Sequence, residues 1–230
     1  MTKIPDNVRI RPGTPADAAA LADALLRNRA YLRPWEPRWS ETYYTAEGQA
    51  ARLGDGRPRW FAVVDGPGRA DGPGSADGAG RADRGGGAHG VGGADDAGGA
   101  HGVGGAEGAG GGHGVGGAGE VIVGSVTLSG IALGPFRSAS LGYWVAEDHA
   151  GRGLATALVE EACRAAREEL GLHRIEACTL LHNHASQRVL DKCGFERIGT
   201  APRYLHIDGD WRDHHLFQRV LHDDPPPALS

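Results

Sequence analysis

Two glycines and the helical pattern after them carry the first chemical signal. The stretch Tyr143-Trp144-Val145 has strand-type residues, and the chain then turns through Gly151-Arg152-Gly153 into the amphipathic pattern Leu154-Ala155-Thr156-Ala157-Leu158. Neither glycine has a Cβ, so the backbone can curl closely around a ligand. The next amides open a helix and have no partners within it, and a helix start of this kind attracts phosphate. No Gly-Lys-Ser or Gly-Lys-Thr comes after the glycines, which argues against a nucleotide-hydrolysing P-loop. Further on, Asn183 and Ser186 open a second helical pattern that Gly194 ends, and both are residue types that cap helices.

These residues also carry a resemblance. The stretch from Gly142 to Leu158 resembles the acyl-CoA-binding motif of the GNAT N-acetyltransferase superfamily, Q/R-x-x-G-x-G/A, with Gly153 and Ala155 at the two small positions. Ala150 stands where Gln or Arg is usual, which removes one side-chain contact and leaves the amide cradle. The run Asn183-His184-Ala185-Ser186-Gln187-Arg188-Val189-Leu190-Asp191-Lys192-Cys193-Gly194-Phe195 is similar to N-x-x-S-x-x-v-l-e-k-x-G-F of the RimJ/RimL-type branch, which acetylates ribosomal-protein N-termini. Either motif alone is weak, but two in order about thirty residues apart make a joint signal.

The resemblance implies acetyl transfer from acetyl-CoA to an amine by direct attack, with no covalent enzyme intermediate and no metal. It implies cofactor contacts from Trp144, Val145, Gly151, Arg152, Gly153, Leu154, Ala155, Thr156, Asn183 and Ser186. A backbone N–H near Val145, on a strand that family members bulge, would polarise the thioester carbonyl, and Ser186 would protonate the leaving thiolate. The general base does not carry over. Leu205 falls where some ribosomal-type enzymes hold Glu, and Cys178 falls where other N-terminal acetyltransferases do. Glu176 lies near a strand start. His182, His206, Glu36 or a chain of waters remain, and His206 is taken as the candidate base.

A weak base favours one class of acceptor. An α-amine of pKa ~7.7 to 8.0 is already ~10 to 15% neutral at pH 7, whereas a lysine near 10.4 needs more than ~4 kcal/mol to reach its nucleophilic form. The expected acceptor is therefore a protein N-terminus, and the resemblance implies one on a ribosomal protein. The alternatives are a small amine such as an antibiotic or polyamine, and a catalytically silent acyl-CoA-binding module.

The positioning elements must come from about three-quarters of the chain. Of the 230 residues, 65–119 are mostly Gly, Ala, Asp, Arg and His and hold 25 of the 39 glycines. Such a segment cannot pack a core, so it reads as a disordered insertion between the second and third strands of one domain spanning 1–222, with 223–230 as a disordered tail. Within it His89, His101 and His113 recur two residues before Val91, Val103 and Val115. Holding three such histidines on one metal ion would cost heavily in loop ordering, so a surface loop is the better reading.

The remaining elements alternate between strand and helix patterns. Strands are expected at 8–11, 60–64, 120–128, 140–145, 173–181, 195–200 and 211–221. Helices are expected from Thr14 to Arg29 with Leu21, Leu25 and Leu26 inward, at 45–53, at 154–170, and after Asn183. Between the first two helices, Trp35 and Trp39 lie on a proline-broken loop, as a wall of the acceptor site or as cover for the core edge. The expected fold is α/β (α+β): a mixed, mostly antiparallel sheet of about seven strands, splayed between the fourth and fifth, with helices on both faces. The net charge of -5 offers no basic surface for direct nucleic-acid binding. Cys163, Cys178 and Cys193 suit a reducing compartment as buried small hydrophobes. With no signal peptide and no apolar run near the ~18 residues of a membrane span, the expectation is a cytoplasmic monomer or homodimer away from membranes.

Overall fold

The structure is a computed structural model and describes residues 4–66 and 119–226. Nearly all of the Gly/Ala-rich block, with the three histidines of its repeat, lies outside the described residues, as does the end of the tail. The described residues form one sheet from β1 (Val8–Pro12), β2 (Arg59–Asp65), β3 (Glu120–Ala132), β4 (Ser138–Val145), β5 (Arg174–Leu180), β6 (Glu196–Ile207) and β7 (Asp210–Val220). Its order is β1-β2-β3-β4-β5-β7-β6. Every neighbouring pair is antiparallel except β4 and β5. The helices are α1 (Ala18–Leu32), α2 (Ala46–Leu53), α3 (Leu154–Glu168) and α4 (His184–Lys192). Helix α3 packs on β2, β3 and β4 and meets α4, while α1 packs on β3 and meets α2. Leu154, Leu158, Val159, Ala162 and Ala165 form the buried stripe of α3, as their spacing predicts. Among the described residues no helix is long and apolar enough to cross a membrane.

Several boundaries differ from the sequence expectation, each for a local reason. Helix α1 runs on to Leu32, and Leu26 is 54% exposed although Leu21 and Leu25 are buried. At about 100° per residue, adjacent leucines cannot both face inward. Strand β6 reaches Ile207 instead of ending near Thr200, and its register against β7 breaks between Arg197 and Gly199 and again between Ala201 and Leu205. Those two breaks disrupt the alternation by which a strand is recognised. The bulge expected on the strand of Val145 is absent. β4 stays in register with β3 from Ser140 to Val145, and the irregularity falls on β3 between Ser129 and Ala132, where Gly130 takes φ +58°.

The entry to α1 is held by charge. Buried Asp17 accepts from the Thr14 amide at 2.8 Å and from Arg11 at 2.6 Å, and Arg11 also reaches Glu120 of β3 at 2.7 Å. Burial alone would raise the Asp17 carboxyl, but the bonds from Arg11 and Thr14 outweigh it and hold the group below its ordinary value. Stability from a lowered carboxyl is complete above the unfolded value, ~3.9, and is lost as pH falls through the folded one. Asp17→Asn should therefore cost about 2 kcal/mol at pH 7. Urea titrations should find that cost shrinking below pH ~4.

Candidate active site

The turn before α3 leaves its amides free. Gly151 and Gly153 adopt φ +76° and +82°, in the left-handed region that only glycine enters at little cost. The loop ahead of them is tied down: Ala146 N–H donates to Val123 O at 2.8 Å, Glu147 N–H to the Asn28 side chain at 3.0 Å, and Ala150 N–H to Glu147 O at 3.2 Å. The next bond is Ala157 N–H to Gly153 O at 3.0 Å, and among the described residues nothing accepts from the amides of 151–156. Helices α2 and α4 are closed by side chains. Thr45 caps α2 and Asn183 caps α4, whereas α3 has neither a side-chain cap nor an acid in its first turn. Leu154, Ala155 and Thr156 thus present N–H groups at the positive end of a fifteen-residue helix, an arrangement suited to a diphosphate. Arg152 is exposed between the glycines.

Beside this cup the sheet opens. β4 and β5 pair only at Ser138, Ala139 and Ser140 with Arg174, Ile175 and Glu176, and the other edge of β5 is taken by β7. Because Ala146 points its N–H at β3, alternation along β4 turns those of Val145 and Tyr143 into the gap. Divergence of the strands thus supplies the donor that a bulge was expected to free. Trp144 is buried on the alternate face of β4.

Helix α4 brings Ser186 and Asn183 to the gap, together with a residue that sequence reasoning missed. Asn183 accepts the Ser186 amide at 3.0 Å, and Ser186 Oγ lies 2.6 Å from the Tyr143 hydroxyl. All three are buried, and burial raises the Tyr143 phenol well above its ordinary value, so it remains a proton carrier. The strand position of Tyr143, facing the α4 side of the sheet, was the available signal.

The opposite side of the gap holds a hollow of about 60 Å³ lined by Ser140, Glu176, Cys178, Ile198, Tyr204 and Leu216. Gly142 contributes no side chain there. Glu176, near the start of β5, accepts from Arg174 at 2.5 Å and sits on the wall of this hollow. Burial pushes the Cys178 thiol up to about 12, and Cys163 likewise, which removes both as thiolate nucleophiles at neutral pH. All three cysteines are buried, and none forms a disulfide.

The remaining candidates separate. Trp35 packs on the cluster of Cys178, Leu180, Leu205 and Ile207 and lies 5.5 Å from the His182 ring, so it walls the hollow's side of the sheet. Trp39 instead stacks on Tyr43 at 4.3 Å. His206 is exposed between buried Leu205 and Ile207, with its ring 5.5 Å from Trp211, and is not brought to Ser186 or Asn183. Glu36 is buried, and its carbonyl accepts the Asp208 amide at 3.0 Å. Among the described residues no group of His, Cys, Asp and Glu could hold a metal ion.

Comparison with known proteins agrees with this fold. Residues 106–196 match the family described as the acetyltransferase (GNAT) domain. The chain is 28% identical over 228 residues to the ribosomal protein uS5-alanine N-acetyltransferase of Escherichia coli K12, covering 96% of this chain and 91% of that protein. Its fold is similar to that of a ribosomal-protein-S5-alanine acetyltransferase from Vibrio fischeri, with TM-score 0.69 at 23% identity over 98% of this chain and 100% of the other. It is also similar to Mycobacterium smegmatis RimJ in complex with CoA-disulfide, with TM-score 0.62 at 26% identity over 93% and 81%.

Proposed function

We propose that this chain, which belongs to the GNAT acetyltransferase family, carries acetyl from acetyl-CoA to the α-amine of a protein N-terminus, with a ribosomal protein as the favoured acceptor. The observation that carries the reading is the free amide cup of 151–156 opening beside the β4–β5 gap, in a chain that covers 91% of a ribosomal-protein alanine N-acetyltransferase. The small size of the hollow, about 60 Å³, favours a small first residue on the acceptor.

Each group then has one task. The amides of Gly151 to Thr156 bind the diphosphate, with Arg152 beside them. Asn183 caps α4 and lies against the arm that reaches the gap, with Trp144 on the neighbouring strand. The Val145 N–H accepts the charge that develops on the carbonyl oxygen as the amine nitrogen forms its new bond to carbon. Ser186 Oγ gives its proton to the departing thiolate and is resupplied by Tyr143, 2.6 Å away. The two faces of the gap divide the work, with the leaving group on the α4 side and the acceptor on the side of Glu176, Cys178 and Tyr204. Acetyl-CoA supplies only the activated acyl group.

The test compares peptides beginning with alanine or serine against peptides whose only amine is an internal lysine, by the rate of thiol release from acetyl-CoA. N-terminal peptides should react faster; a preference for lysine overturns the acceptor. Binding of coenzyme A without turnover on any amine would mark a silent module instead. A cytoplasmic setting is proposed on the three thiols, none in a disulfide, and a monomer or homodimer on the expectation from sequence.

The Gly/Ala-rich insertion is proposed to be dispensable. β2 and β3 stay paired as far as Asp65 with Glu120, past one register shift between Ala62 and Val63, and Gly66 N–H donates to Gly119 O at 2.5 Å, so the hairpin closes without the segment between. Joining Gly66 to Gly119 should leave turnover within about twofold, since loop length alone changes closure cost by only ~0.6 kcal/mol per doubling. A large loss would mean that the segment contributes to the site.

A further inference from the structure

A buried hydroxyl on the leaving-group side of the gap has no task in this scheme. Thr179 of β5 is fully buried, and among the described residues its Oγ1 has no hydrogen-bond partner. Its level follows from the register. β4 and β5 run parallel and last pair at Ser140 with Glu176, so Tyr143 and Thr179 each lie three residues beyond that pair, on opposite banks of the gap. Ser140 and Glu176 both line the acceptor hollow, and three steps of alternation turn Tyr143 and Thr179 to the other face. The packing agrees. Cys178 and Leu180 join the cluster around Trp35, whereas Ala177 joins the main core with Tyr143. On that face α4 follows directly from β5, with Asn183 N–H on Leu180 O at 3.0 Å, and it brings Ser186 over the gap to Tyr143.

Three buried hydroxyls, those of Ser186, Tyr143 and Thr179, therefore border the side where the leaving group sits. The first two bond to each other at 2.6 Å, and the third is left over. Its polar neighbours are used within the chain: Asn183 Oδ1 takes the Ser186 amide, and Gln187 Nε2 reaches the carbonyls of Leu180 and Leu181. A valine has the same branched shape and leaves no polar atom unpaired, so packing alone would favour valine at this position. A buried hydroxyl without a partner asks for one from outside the chain.

We propose, building on the acetyl-transfer reading above, that the Thr179 hydroxyl donates to the sulfur of acetyl-CoA and stabilises the thiolate as it departs. As the amine nitrogen bonds to the carbonyl carbon and the carbon–sulfur bond breaks, the electron pair of that bond passes to sulfur. Ser186 delivers its proton there, while Thr179 keeps its own and gives only a hydrogen bond. Nothing is oxidised or reduced. The bond strengthens as charge collects on sulfur, so it acts on the transition state more than on the bound thioester. Thr179 reaches the sulfur from β5 and Ser186 from α4, which holds the atom between two donors and aims the proton transfer. Water is kept from this spot, so no solvent hydrogen bond competes for the charge.

Thr179→Val tests this directly, because it removes the hydroxyl and keeps the shape. With an amine that the wild type accepts, kcat should fall about tenfold, less than for a lost oxyanion donor because sulfur spreads its charge, and the KM for acetyl-CoA should stay within about threefold. Thr179→Ser, which restores the hydroxyl, should return the rate to within about threefold of wild type. The urea midpoint of the valine variant should be no lower than that of the wild type, since no internal bond is lost. A valine rate within threefold of wild type, a serine variant as slow as the valine one, a loss carried by KM, or a lowered midpoint overturns the proposal. In case the valine variant does not fold, a crystal of the wild type with coenzyme A gives a second reading. Thr179 Oγ1 should lie within hydrogen-bonding reach of the sulfur, and a sulfur out of its reach also overturns the proposal. A wild type idle on every amine overturns the transfer reading and this one with it, whereas an active wild type with an unaffected valine variant overturns this one alone.

Discussion

Ser186→Ala lowers kcat by about a hundredfold and leaves the affinity for acetyl-CoA within about threefold. General acids of this kind contribute about 10² to 10⁴ in rate, and the lower end applies because Tyr143 is left in place as a poorer donor. The fold should tolerate the change. The Ser186 amide still donates to Asn183 Oδ1, and the Tyr143 hydroxyl keeps a second acceptor in the Ser186 carbonyl at 3.3 Å. Tyr143→Phe should cost less, because Ser186 then keeps its proton and loses only its resupply. Adding both changes should cost little more than Ser186→Ala alone, since the two hydroxyls act as one unit. Stopped-flow detection of released thiol checks all three proteins, and equal rates in the single variant and the parent would remove Ser186 from the chemistry.

Gly153→Val is expected to weaken coenzyme A binding by tenfold or more. An ordinary L-residue in the left-handed region costs about 1 to 2 kcal/mol, and a β-branched one is a true outlier there. At φ +82° the valine must either bear that strain or turn the first amides of α3 away from their shared focus. Either outcome loosens the anion cup and leaves the Ser186–Tyr143 pair in place, so KM should rise more than kcat falls. Gly151→Ala, at φ +76° with open space around the position, should be the milder change. Calorimetry with coenzyme A separates these outcomes, and unchanged heat and affinity in Gly153→Val would mean that the diphosphate is held elsewhere.

The parts of the site that could be read in the sequence are those set by near neighbours along the chain. A helix start stripped of side-chain caps and preceded by two glycines is a local statement, and so is the cap from Asn183 to Ser186. The Tyr143–Ser186 bond joins residues 43 positions apart and exists only because α4 packs beside β4. The level of Thr179 opposite Tyr143 depends on where β4 and β5 cease to pair, which leaves no periodic trace. His206 drew attention by its type, yet the alternation of Leu205 and Ile207 places it on the outer side. Trp35 and Trp39 look equivalent in a proline-broken loop, and only the packing of α1 against α2 sends one toward the cleft and the other onto Tyr43.

The closed end of the β2–β3 hairpin makes this enzyme a ready host for foreign sequence. Because the ladder is complete before Gly66 and resumes at Gly119, a reporter whose own termini lie close together could be grafted there without disturbing the strands. The end of that hairpin borders a groove floored by Val121 and Val123 and rimmed by Asp65 and Glu147. A fluorescent graft at this port would sit beside the loop that leads into the α3 turn, where it could signal cofactor arrival optically.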